Sequence, residues 1–271
     1  AERADNWEHY QGNTWKAVFP NRLFGNFNPY QEQVTGDWYY GSRVVHTGEV
    51  YLDEGSLYEA ETLEEVLLGD RWAGAWPLNR GEDLTACRWY AQVGEEATVI
   101  FANFGGRNPK EHCIEINVRR NCFFPSQTGR NYITLDGFTV CRSACTWAPP
   151  TAFQDGMIGA HWSKGWVIEN CEIFQARCSG ISIGKYLQPG NENKWSNHAK
   201  KSGTQNERDV ICRAVNEGWD KETVGSHIIR NCHIHDCGQT GIVGHLGCAF
   251  SLIENNHIHH INNKQELDGA E

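Results

Sequence analysis

Long apolar runs are missing from this chain of 271 residues. None approaches the ~20 residues that a helix needs to span a bilayer. Positive charge is in deficit, with 24 Lys and Arg against 34 Asp and Glu and a formal net charge of -10. That balance argues against phosphate backbones and anionic lipid as main partners, so neither nucleic acid nor membrane is expected. It also disfavours an acidic polysaccharide. Methionine occurs once. No CxxC pair occurs among the 11 cysteines, and their spacing matches no small disulfide scaffold. Several sit inside apolar stretches, as in Cys113-Ile114 and Cys171-Glu172-Ile173, where they read as small buried hydrophobes. A reducing, cytoplasmic setting is the expectation. The opening AERADNWEHY lacks the pattern of a signal peptide.

What is present is enough for a core. Hydrophobic residues make up 39% and charged ones 21%, which fits a globular chain of one large or two ordinary domains. Eleven Trp and 9 Tyr suit sugar stacking, and they equally suit a large core.

The clearest signal is a repeat. Val167-Ile168-Glu169-Asn170-Cys171-Glu172-Ile173 aligns with Ile228-Ile229-Arg230-Asn231-Cys232-His233-Ile234, and again with Leu252-Ile253-Glu254-Asn255-Asn256-His257-Ile258. The last two copies are 24 residues apart, and a looser copy around Gly137 lies 33 before the Asn170 copy. Each is followed by a second short apolar stretch, such as Gly180-Ile181-Ser182-Ile183 or Gly241-Ile242-Val243. A period in the twenties with β-branched strands and Asn or Gly corners predicts a parallel β-helix. Asn suits a corner because it tolerates left-handed backbone and stacks its amide on the next coil.

An insertion at 186–225 interrupts the stack and carries a predicted helix. Thr204 and Glu207 form its capping box, Val210, Ile211, Ala214 and Val215 its apolar face, and Gly218 its end. Residues 1–120 show no such repeat. Val44–Tyr51, Arg88–Val93, Ala97–Ala102 and Cys113–Val118 read as strands, and a short helix begins at Thr62 and Glu65. The expected organisation is all-β: a β-sandwich-like domain over 1–120, then right-handed parallel β-helix coils over 121–271.

Cys232, His233, His235, Asp236, Cys237, His257, His259 and His260 crowd into fewer than 30 residues. Strand alternation sends His233, His235, His257 and His259 outward while Cys232 points inward with Ile234. A mixed Cys/His zinc site therefore fails on direction, and a solvated histidine ladder is favoured over a metal site. Asp236 reads as a turn residue, and Glu169, Arg230 and Glu254 as one surface charge column.

Sugar-processing solenoids use two chemistries. Hydrolysis needs two carboxylates, roughly 5 Å apart for retention and wider for inversion. Elimination on a uronate needs a base and a cation to offset the substrate carboxylate. The acidic chain suits hydrolysis better. His245, in "GIVGHLG", follows the second strand of its coil and can face a cleft. "GDWYYGSRVVHTGEVYL" (36–52) concentrates Trp38, Tyr39, Tyr40, His46, Glu49 and Tyr51, and either sugar stacking or core packing accounts for it.

Several stretches carry a resemblance: "FGNFNPY" (24–30), "GDWYY" (36–40), "HTGEVYL" (46–52), "HWSKGW" (161–166), "CSGISIGK" (178–185) and the run from Gly203 to His245. On these the chain resembles the β-xylosidases of glycoside hydrolase family 120. The resemblance implies a β-helix with an inserted β-sandwich and retaining exo-hydrolysis of short xylo-oligosaccharides, without cofactor or metal. It places the catalytic Asp and Glu C-terminal to Glu271. It leaves this chain the supporting cleft, with Trp38 as a sugar-stacking wall, His245 as a polar lining group and Glu271 as acceptor for a sugar hydroxyl. A segment truncated at both ends is expected, its open coils completed by flanking sequence or by a second copy of the chain. The competing readings are a polysaccharide lyase and a non-catalytic β-helix binding module.

Overall fold

The computed structural model describes residues 1–34, 44–71, 83–146, 155–184 and 203–263, apart from the side chains of 203–207, 209 and 210. They fall into two compact units that divide at Arg120 and Asn121.

The first unit pairs two sheets. Its strands are β1 (Glu2–Arg3), β2 (Glu8–Gln11), β3 (Thr14–Pro20), β4 (Val50–Leu52), β5 (Gly55–Ser56), β6 (Tyr58–Glu59), β7 (Arg88–Val93), β8 (Ala97–Asn103) and β9 (Ile114–Ile116). One sheet runs β1-β9-β4-β5, the other β2-β3-β8-β7-β6. The long antiparallel pair β3–β8 keeps register from Thr14↔Asn103 to Pro20↔Ala97. Both sheets contribute to one core that contains Trp7, Tyr30, Val50, Trp89, Ile100, Phe104, Ile114 and Ile116. Its aromatics meet edge to face, Trp7 on Phe104 at 5.1 Å and Tyr30 on Trp89 at 5.4 Å, the arrangement the ring quadrupole favours. Helix α1 (Leu63–Leu68) starts as its capping residues require. The Thr62 hydroxyl accepts from the Glu65 amide, the Glu65 carboxylate accepts from the Glu61 amide, and Gly69 ends the helix at φ 64.

The expected strand over Val44–Tyr51 is shorter than its β-branched pattern implies. Only Val50–Leu52 joins a sheet, and His46 makes a single bridge with Gln33. The intervening amides are used elsewhere, Thr47 bonding the Glu32 carbonyl and Gly48 the Pro29 carbonyl. A Cβ on Gly48 would lie 2.5 Å from the Tyr30 ring, so the segment is shaped by that close approach.

The second unit is a parallel β-helix. One face stacks β10 (Thr134–Asp136), β13 (Val167–Glu169), β16 (Ile228–Arg230) and β19 (Leu252–Glu254). A second stacks β11 (Thr139–Ser143), β14 (Glu172–Ala176), β17 (His233–His235) and β20 (His257–His259), and a third β12 (Ile158–Gly159), β15 (Ile181–Ser182) and β18 (Ile242–Val243). Register follows the sequence repeat residue by residue: Val167 pairs with Ile228 and Ile228 with Leu252, Glu172 with His233 and His233 with His257. Inward positions form stacked apolar columns. Ile168, Ile173, Ile229 and Ile234 are fully buried, each contributing roughly 2 kcal/mol of transfer free energy. Cys171 and Cys232 occupy one such column and Cys145, Cys178 and Cys237 lie equally deep.

The corners carry the conformations that Asn was expected to supply. Asn170, Asn231 and Asn255 stand at φ 55, 54 and 54. Their amides stack, Asn170 donating to Asp136 at 2.7 Å and Asn231 to Asn170 at 3.4 Å. On the outer face, Arg230 pairs with Glu169 at 2.7 Å, as the charge column predicts. Helix α2 (Gly203–Glu217) ends at Gly218 with φ 98. Of its expected apolar face, Ala214 is buried while Ile211 and Val215 are exposed, and the side chains of Thr204, Glu207 and Val210 lie outside the described residues. Among the described side chains of the helix, Ala214 packs on Leu246 and Trp162.

Candidate functional site

Strands β12, β15 and β18 pair in register, Ile158 with Ile181 and Ile181 with Ile242. Extending that register by three residues aligns His161, Gly184 and His245 in one column, where the third face turns into its loops. The His245 amide donates to the Gly184 carbonyl at 3.3 Å, and its carbonyl accepts from the Cys248 amide at 3.1 Å. Its imidazole is half-buried with Nδ1 enclosed. Gly184 sits at φ 101, and a Cβ there would lie 2.2 Å from the His161 carbonyl and 3.4 Å from the Gly247 Cα, so the Gly184 turn packs backbone against backbone between the two histidine-bearing turns.

The insertion closes on this turn. The Trp219 indole donates to the Leu246 carbonyl at 2.9 Å, next to the Ala214–Leu246 contact. His161 is nearly inaccessible, its Nδ1 3.2 Å from the Pro125 carbonyl and its ring tilted on Phe124 at 5.0 Å. Burial holds its pKa below the ordinary value, and the Pro125 carbonyl offsets this in part, so it is a neutral donor at physiological pH. His245 was legible in the sequence from its place after a strand. His161 was not singled out, although "HWSKGW" places it in the same position two coils earlier.

In the first unit, His46 lines a cavity of about 300 Å³ with Val44, Glu59, Ala60, Glu61, Tyr90 and Ala91. Its Nδ1 lies 2.6 Å from one oxygen of Glu59, and its amide donates to the other at 2.9 Å. Glu49 and Tyr51 instead belong to the interior. The Tyr51 hydroxyl donates to Glu49 at 2.7 Å, Ser56 donates to the other carboxylate oxygen, and Tyr30 donates to the Glu49 carbonyl. Burial first, and the Glu49 charge second, push the Tyr30 phenol well above its usual range, so it stays protonated as that donor. The described part of the aromatic-rich stretch thus divides into a core part and a cavity-lining part, while Tyr39 and Tyr40 lie outside the described residues. Trp38 and Glu271, the other two expected cleft residues, lie outside the described residues.

Two comparisons bear on what this arrangement belongs to. Residues 4–116 match the family model described as glycoside hydrolase 120, insertion domain. Among solved structures, XylC in complex with xylose is 45% identical with a TM-score of 0.90, covering 98% of this chain and 43% of its own. This chain thus spans less than half the length of that relative. No curated protein matches the sequence. The insertion-domain match, together with identity of this level over nearly every residue, shows that the chain belongs to glycoside hydrolase family 120.

Proposed function

We propose that this chain is the substrate-cleft segment of a retaining exo-β-1,4-xylosidase that releases xylose from short xylo-oligosaccharides. The observation that carries this reading is the 45% identity, over 98% of the chain, to a protein solved with xylose. Residues 1–120 are the inserted sandwich, and residues 121–271 are β-helix coils. Trp38 stacks on the sugar, His245 lines the cleft, and Glu271 accepts a hydrogen bond from a sugar hydroxyl. The place of His245 at the end of the third face, its amide bonded to the Gly184 carbonyl, supports its assignment.

The nucleophilic Asp and acid/base Glu belong to the part of the family's length that lies beyond Glu271. The Asp attacks the anomeric carbon while the Glu protonates the departing oxygen. Water then attacks the glycosyl-enzyme, with the same Glu as base, and xylose leaves with its configuration retained. Five cysteines buried at 0–2% exposure in the β-helix interior support a reducing, cytoplasmic setting. Among the described residues no helix is long and apolar enough to cross a membrane.

The test is hydrolysis of a nitrophenyl xyloside by the 271-residue chain and by a chain extended through the following coils. The extended chain should turn over and the short one should not. Within the active form, Glu271→Gln should raise KM at least about tenfold, the loss of a charge-assisted hydrogen bond. Turnover by the short chain would place the catalytic pair inside these residues, and an inert extended chain would refute the reading.

A further inference from the structure

The histidine ladder holds more than a row of solvated side chains. Glu172 and His233 are register partners on β14 and β17, and His235 is two residues along on the same outward face. His233 stacks on His257 at 5.1 Å, and His235 lies between Phe174 and His259, nearly parallel to both. The three candidate ligand atoms of Glu172, His233 and His235 all lie within 4.8 Å of one another.

The protons decide what this cluster is for. Nδ1 of His235 is 2.6 Å from Asp236 Oδ2, a distance that places the ring proton on Nδ1, donating to the carboxylate. Nε2 then carries a bare lone pair. That atom is buried, has no hydrogen-bond partner, and faces Glu172 Oε1 at 3.7 Å. Two lone pairs, one of them on a carboxylate, therefore point at a common space. His233 completes the set, since its Nδ1 is 3.8 Å from the same Glu172 oxygen. Its Nε2 lies 2.6 Å from Nε2 of His259, and His259 Nδ1 lies 2.6 Å from Nδ1 of His260. A proton on His233 Nε2, donated to His259, leaves Nδ1 of His233 as an acceptor turned toward Glu172.

We propose that Glu172 Oε1, His233 Nδ1 and His235 Nε2 bind a divalent transition-metal ion of the Zn²⁺ class, with Asp236 orienting His235. Two imidazoles and one carboxylate suit such an ion better than Ca²⁺ or Mg²⁺, which take oxygen ligands. Metal–ligand bonds of about 2.1 Å at tetrahedral angles put ligand atoms about 3.4 Å apart. The observed 3.7 and 3.8 Å close to that with shifts of a few tenths of an ångström. The Asp236–His235 bond is the outer-shell contact that metal-binding histidines generally make. A second trio, His233, His257 and His259, is also compact. There, however, the two Nε2 atoms at 2.6 Å share a proton and are too close to ligate one ion together.

The site would tie together the two coils that the chain connects least directly. Glu172 and His233 are 61 residues apart, with the insertion between them. A cross-link there shortens a long loop in the unfolded chain and so stabilises the stack.

The test is calorimetric titration of the tag-free chain with ZnCl₂ against a competing chelator, with Co²⁺ absorption as a second probe. One ion per chain should bind, and saturation should raise the unfolding temperature. Glu172→Gln and His235→Ala should each weaken binding at least about tenfold, and Asp236→Asn by about 10- to 100-fold. His257→Ala, in the rival trio only, should leave affinity within about twofold. Glu172→Gln is a surface isostere and keeps the test valid if His235→Ala fails to fold. Absence of saturable binding in the wild-type chain overturns the proposal. So does loss of binding in His257→Ala with Glu172→Gln unaffected.

Discussion

Acidification should loosen the β-helix through one residue, His227. It precedes β16, is 1% exposed, and its Nδ1 accepts the Trp166 amide at 3.2 Å, which requires the neutral ring with its proton on Nε2. Burial lowers its pKa from the ordinary 6.5 to about 4, and the Gly247 backbone offsets this only in part. The unfolded chain therefore takes up a proton there about 300 times more readily than the folded one. Because the folded pKa is depressed, the contribution is fully present above pH 6.5 and is lost as pH falls toward 4. The total is about 3 kcal/mol, most of it gone by about pH 4.5. Below the folded value both states are protonated and this residue adds no further loss. Urea unfolding from pH 7.5 to 4.5, run on the wild-type chain and on His227→Gln, reads the effect. The variant should be less stable at neutral pH, with a flatter decline because Gln does not titrate. His161, also depressed by burial, contributes a residual slope of the same sign in both proteins. Equal losses in the two proteins over this range would refute the argument, since His227 would then carry no pH dependence.

Two further outcomes follow from the packing. Gly225 lies at φ 80, and a Cβ there would sit 1.9 Å from the Ala249 carbonyl oxygen, so Gly225→Ala should cost about 2 to 4 kcal/mol and visibly lower the melting temperature. A melting temperature within a degree of wild type would show that the turn relaxes. Burial raises the Cys145 and Cys237 thiols to about 12, while Cys122 and Cys212 are exposed. A disulfide reagent should modify the exposed pair rapidly and the buried pair only on unfolding, as counted by mass spectrometry.

The β-helix was legible because its coils repeat chemically as well as structurally. Asn170, Asn231 and Asn255 mark the same corner at the same φ, and the Ile columns beside them predict the register that the strands adopt. The sandwich was less legible. Its strands pair across distant sequence, as Thr14 does with Asn103, so no local period announces them, and β1 to β3 went unread. The Val44–Tyr51 stretch has strand composition, yet tertiary bonds to Pro29, Glu32 and Asn117 take its amides out of the ladder. The histidine column at the end of the third face was half legible. His245 follows a strand in an obvious coil, whereas His161 becomes its column partner only when β12, β15 and β18 stack.

The sequence by itself determined the coil period, the inward and outward faces of each strand, and the outward direction of the histidines, because side-chain alternation is a local property of extended backbone. It also determined the segment's family, through motifs spread along the whole chain. Only the tertiary structure decided which outward groups meet. Glu172 and His235 come together across a 40-residue insertion at 186–225, and the proton that Asp236 holds on Nδ1 turns a surface histidine into a lone pair aimed at a carboxylate. That outcome depends on distances between coils and on hydrogen-bond partners, neither of which a period along the chain encodes.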